Sequence, residues 1–146
     1  MSTPILGITE MTEGQDTKYV TFNEAINDLD SAAGPYVLGL TYDGSPDNSE
    51  VILRQKTVLA FSLPASLTGS YFYSEVAATG ASTFTLKKNG GSIGTILFSS
   101  SATTGVATFS TSVSFAVGDK LTIEAPSSAD ATLADLGFTL KGSKVV

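Results

Sequence analysis

The chain has no cysteine, no histidine and no tryptophan. Without thiols there are no disulfides and no thiol chemistry. Without imidazole, the commonest general base and most transition-metal ligands are gone as well. Charge is scarce too, at 15% of residues against about 25% in an average domain. No apolar run approaches the ~18 residues that a membrane span needs, so no membrane partner is expected. The opening Met1-Ser2-Thr3-Pro4-Ile5 has neither the basic start nor the apolar middle of a signal peptide. Synthesis in a cytoplasm is the expectation.

What remains is acidic and hydroxyl-rich. The formal net charge is −6 with a pI near 4.4, and Ser and Thr make up about a quarter of the 146 residues. Eight Lys and Arg with no basic cluster along the sequence argue against nucleic acid. With 42% apolar residues the chain buries a core rather than staying disordered. A surface so poor in charge suits self-association or packing in an assembly better than steering of charged ligands.

From residue 61 to 141 the pattern has period two. Runs over 70–77, 82–88, 92–98, 104–110, 112–117, 120–125 and 135–141 alternate between one apolar and one polar face. Phe84 and Leu86 oppose Thr83, Thr85 and Lys87; Leu121 and Ile123 oppose Lys120, Thr122 and Glu124; Val113, Phe115 and Val117 oppose Ser112, Ser114 and Ala116. Lys88-Asn89-Gly90-Gly91 reads as a hairpin, since Asn and Gly tolerate the positive φ of a primed turn. Upstream, Tyr36–Tyr42 reads as a strand, 43–50 as a polar loop, and Val51–Leu63 as one long strand with a bend. Many short alternating strands predict a mainly β chain whose residues 36–146 form a jelly-roll-like antiparallel β-sandwich.

Residues 1–35 predict something else. Pro4, Gly7 and Gly14 punctuate an extended arm with one short strand near Ile5–Thr9. Thr21-Phe22-Asn23-Glu24 has the spacing of a capping box, and Phe22, Ala25, Ile26, Leu29, Ala32 and Ala33 form one apolar stripe before Gly34-Pro35 stops the helix. A helix this short is marginal by itself, so its stripe needs a partner surface. The chain's own β domain, copies of the same chain and a larger assembly all remain open. Self-association makes Phe22, Ala25, Ile26, Leu29 and Ala32 the expected oligomer interface.

The segment Pro4–Asp30 resembles the opening segment of structural proteins from tailed phages and gene-transfer agents. Gly14, Gln15, Lys18, Val20, Asn23, Glu24, Ala25, Leu29 and Asp30 carry the match. The C-terminal part resembles a β-sandwich common at the end of such fibre and spike proteins, through Phe61-Ser-Leu-Pro-Ala, Phe84-Thr-Leu-Lys-Lys-Asn-Gly-Gly and Gly118-Asp-Lys-Leu-Thr-Ile-Glu-Ala-Pro. The resemblance implies a virion component, usually homotrimeric and without a cofactor. It would be attached to tail, baseplate or capsid proteins through its first segment, where Gly14, Gln15, Lys18 and Asn23 fall, and would display the sandwich outward. The chain leaves no room for a long shaft between the two parts, so a short fibre or spike, or a capsid decoration protein, fits better than a long fibre.

Candidate chemistry is sparse. Asp43, Ser45, Asp47 and Glu50 are spaced loosely like a calcium loop, but the full ligand pattern is missing and Pro46 interrupts it, so a solvated loop is expected and no metal site. Tyr71 and Tyr73 share a strand face, and with Tyr36 and Tyr42 they form a possible aromatic platform for host-surface glycan; packing and intersubunit contact are the commoner use. The polar loop over 99–105 is a further place for receptor contact. No catalytic residue is assigned: a nucleophilic Ser has no His to activate it, and no carboxylate pair is singled out among Asp43, Asp47, Glu50, Glu75, Asp119, Glu124, Asp130 and Asp135.

Overall fold

The computed structural model describes residues 34–145, and a compact unit begins at Pro35. The extended arm, the striped helix and every residue assigned above to the helical interface or to virion attachment lie outside the described residues.

Ten strands follow in order: β1 (Pro35–Tyr42), β2 (Val51–Lys56), β3 (Phe61–Leu63), β4 (Tyr71–Val76), β5 (Ser82–Lys88), β6 (Gly91–Phe98), β7 (Gly105–Thr108), β8 (Val113–Phe115), β9 (Lys120–Glu124) and β10 (Ala134–Lys144), with a short 3-10 turn at Ala65–Leu67. One sheet runs β1-β10-β3-β8, and β4 pairs with the part of β10 that β3 leaves open. The other runs β2-β9-β5-β6-β7. All named pairings are antiparallel, so the described residues form a mainly β, two-sheet structure consistent with a β-sandwich.

The pairing is nested. β1 pairs β10, β2 pairs β9, β3 pairs β8 and β5 pairs β6. The innermost pair turns at Asn89-Gly90, whose φ values of 50° and 89° are those of a primed two-residue turn. β4 and the start of β7 complete the series through a bridge from Tyr73 to Thr104 and a bond from Ser74 N–H to the Thr103 carbonyl at 2.9 Å. That link also ties the two sheets together along one side.

Alternation decides what lies between the sheets. Phe72, Leu136, Phe138 and Leu140 of the first sheet meet Phe84, Leu86, Ile96, Phe98, Leu121 and Ile123 of the second, all buried. Phe84, Phe98 and Phe138 form an edge-on cluster at 5.5–6.1 Å. Tyr36, Phe61 and Phe115 make a separate parallel stack at 4.2 and 4.8 Å.

The structure corrects the sequence reading in three places. Val51–Leu63 is two strands in two different sheets. The chain is pinned at Thr57, whose hydroxyl donates to the carbonyls of Ala116 and Asp119 and whose carbonyl accepts from Gly118 N–H. Val58 and Leu59 are exposed in the resulting turn, so their apolar alternation did not mark a strand. Val117 likewise is exposed beyond the end of β8 rather than sharing the inward face of Phe115. Tyr36 and Tyr42 point inward: Tyr36 stacks on Phe61, and the Tyr42 hydroxyl donates to Glu50 Oε2 at 2.8 Å.

Candidate interaction face

The outer face of the first sheet is built from alternate residues of three strands. β1 contributes Val37, Gly39 and Thr41, β10 contributes Gly137 and Thr139, and β4 contributes Tyr71 and Tyr73. Register sets them in rows: Gly39, Thr139 and Tyr71 lie side by side, then Thr41, Gly137 and Tyr73. Tyr71 is 73% exposed, Val37 61% and Tyr73 45%. Tyr73 is the less exposed tyrosine because its ring lies across Gly137, where any Cβ would overlap it. Charges stand at the two ends, with Lys141 directly across from Val37 at one and Asp135 and Glu75 at the other.

The structure thus keeps Tyr71 and Tyr73 together on one exposed face and takes Tyr36 and Tyr42 away from them. In a sheet, residues two apart on one strand share a face, whereas Tyr36 and Tyr42 sit at even-numbered positions of β1, opposite Gly142 and Leu136 of β10, and pack against the core.

The loops beyond Tyr42, at one end of the two-sheet domain, hold the Glu50 and Asp130 carboxylates in fixed roles. Glu50 accepts from Asp47 N–H and from the Tyr42 hydroxyl, both at 2.8 Å, which lowers its pKa; the same bond raises that of Tyr42. Asp130 accepts from the Thr132 hydroxyl and from the N–H groups of Gly80, Thr132 and Leu133, and its pKa is strongly lowered, first by the Thr132 hydroxyl. An open depression of about 440 Å³ lies between the 45–48 and 129–131 segments. Its polar groups are used to join those loops: Ser45 Oγ donates to the Ala131 carbonyl, and Asn48 Oδ1 accepts from Ala129 N–H. Among the described residues no three His, Cys, Asp or Glu side chains gather as a metal site, and no helix is long and apolar enough to cross a membrane.

The opposite outer face carries a feature that the sequence did not show. Lys56 stands directly across from Lys120, and Arg54 from Thr122, which on its other side faces Lys87. Outward alternation puts all four cations on one face, around a Thr122 that is only 8% exposed. They lie up to 66 residues apart in the chain, so no linear motif announces them. Lys87 is paired with Glu124 at 2.7 Å. Lys56 and Lys120 have no carboxylate partner among the described residues.

No protein-family model matches the chain, and no curated protein is significantly similar to it.

Proposed function

We propose that this chain is a non-enzymatic structural protein of a tailed-phage-type virion. In this reading it is a homotrimeric short fibre or spike, made in the host cytoplasm, held to the particle by its first segment and displaying its β domain. The nested pairing of first strand with last, second with ninth and onward supports naming that domain a jelly roll. The N-terminal motif around Gly14-Gln15 and Asn23-Glu24-Ala25 supports the particle context. The observation that carries self-association is the outer face of the first sheet: Tyr71 and Tyr73 exposed together beside Gly137, Gly39 and Thr139, with exposed Val37 across from Lys141 at one end and charge only at the ends. Exposed aromatic surface depleted of charge at its centre is the composition of an interface core.

Sedimentation equilibrium of the full chain tests the assembly. The expected mass is three times 15.0 kDa, falling to the single-chain mass in Tyr71→Glu/Tyr73→Glu with the thermal transition still cooperative. A wild-type chain that stays monomeric at tens of micromolar overturns the trimer. Antibody labelling of purified particles tests the location, and unlabelled particles overturn it.

A second reading has one observation in its favour. The Tyr73 ring lies across Gly137 beside an exposed Tyr71 on the same strand face, a paired aromatic surface of the kind on which a pyranose stacks. A glycan array that retains the wild-type protein but not Tyr71→Ala supports host-glycan contact, and an array without binding removes it.

A further inference from the structure

The chain's net charge is divided unevenly. Residues 1–33 hold Glu10, Glu13, Asp16, Glu24, Asp28 and Asp30 against Lys18 alone, a net charge of −5. The remaining residues hold eight acids and seven cations and are nearly neutral. Within that near-neutral part, four of the seven cations, Arg54, Lys56, Lys87 and Lys120, share the outer face of β2, β9 and β5.

Lys56 and Lys120 are directly opposed on neighbouring strands, an arrangement that destabilises a sheet when nothing offsets it. Neither lysine has a carboxylate within ion-pair distance among the described residues. Asp119, next in sequence to Lys120, is committed elsewhere: its oxygens accept from Asn89, from Ala116 N–H and from Lys88 at 3.0 Å. Glu124 is taken by Lys87. Three cations, Arg54, Lys56 and Lys120, therefore stand together outside ion-pair distance of any carboxylate among the described residues, with Glu50 close enough to Arg54 to feel its charge. The stretch from Glu10 to Asp16 supplies three acids without one cation.

We infer that this basic face is the seat for the acidic Glu10–Asp16 stretch of a neighbouring copy, so that each copy's first segment is clasped by the next. The inference rests on the homo-oligomeric reading above and adds a second contact to it, on the other sheet. The contact is heterologous, one surface meeting a different one, and three such contacts close a ring. Its attraction is electrostatic and acts over exposed groups, so salt weakens it.

The test uses the full chain and reads the dissociation constant of the oligomer by sedimentation. Between 0.1 M and 1 M NaCl, where the screening length falls from about 10 to about 3 Å, the constant is expected to rise at least tenfold. Lys56→Glu/Lys120→Glu is expected to raise it about a hundredfold at 0.1 M, and Lys56→Gln/Lys120→Gln to act in the same direction by less. Adding Glu10→Lys/Glu13→Lys/Asp16→Lys to the Lys56→Glu/Lys120→Glu chain is expected to restore assembly to within tenfold of wild type. Circular dichroism and a cooperative melt show that each variant is folded. A wild-type trimer indifferent to both lysine variants overturns the inference and leaves the trimer standing. Loss of assembly without rescue by the charge swap also overturns it, and points to another anionic surface as the occupant. A monomeric wild-type chain overturns both.

Discussion

The ring of Tyr73 lies across the backbone of Gly137, its partner on the neighbouring strand. The two residues are one device: the glycine leaves the space, and the aromatic ring covers backbone that would otherwise face water.

Gly137→Ala is therefore expected to act on the face rather than on the core. No positive φ is involved, so the added methyl is accommodated only if the Tyr73 ring swings away. Assembly should weaken about as much as in Tyr73→Ala, while the chain still melts cooperatively. Unchanged sedimentation of Gly137→Ala would show that the ring's position is irrelevant to association.

Gly90→Ala probes the centre of the nested ribbon. A Cβ there meets nothing within 4 Å, but φ is 89°. The cost is conformational, about 1–2 kcal/mol, and should appear as a lower urea midpoint with an unchanged slope. Because every outer strand pair is nested around this turn, folding should slow as well. Stopped-flow refolding at the wild-type rate would place the turn's formation after the rate-limiting step.

Phe84→Ala removes a side chain that is fully buried between Phe98 and Phe138. A loss of about 3–5 kcal/mol in unfolding free energy is expected. A loss below about 1 kcal/mol would mean that the sheets close over the gap.

Ser82→Ala has the opposite expectation. The Ser82 hydroxyl is buried among Phe84 and Phe98 neighbours on the inward face and has no hydrogen-bond partner. Removing an unpartnered buried hydroxyl is neutral or stabilising, so the melting temperature should hold or rise. A clear fall would reveal a hydrogen bond to that oxygen.

Acid should loosen the end of the two-sheet domain near Thr57 and Asn89. The Asp119 pKa is depressed from 3.8 to about 2, first by the Asn89 side-chain amide, then by Ala116 N–H and the Lys88 ammonium. A folded-state value below the unfolded one gives stability that is present above about pH 4 and lost as pH falls toward 2. Asp130 works in the same direction, held low first by the Thr132 hydroxyl. Urea midpoints should be flat above about pH 5 and fall below pH 4, less steeply in Asp119→Asn. An equal slope in Asp119→Asn would assign the acid sensitivity to other groups.

Much of the two-sheet fold was legible because a strand's side chains alternate by geometry alone. Phe84 against Thr85, Leu121 against Thr122 and Phe138 against Thr139 name their own faces, and Asn89-Gly90 names its own turn. The same rule misread Val58, Leu59 and Val117. An apolar residue in a turn keeps the alternation going even though no sheet is there to bury it, and only the bonds to Thr57 reveal the crossing.

The sites divide along the same line. Tyr71 and Tyr73 were visible as a pair because two residues apart on one strand is a local relation. Which face they take, and the separation of Tyr36 and Tyr42 from them, depended on register against β10. The Arg54, Lys56, Lys87 and Lys120 face could not be read at all from order along the chain. The sequence by itself determined the alternation, the central turn and the scarcity of charge, since these need only neighbouring residues. The tertiary structure decided which strands stand side by side, and therefore which distant side chains share a surface, because antiparallel pairing across a nested ribbon joins residues that the chain keeps far apart.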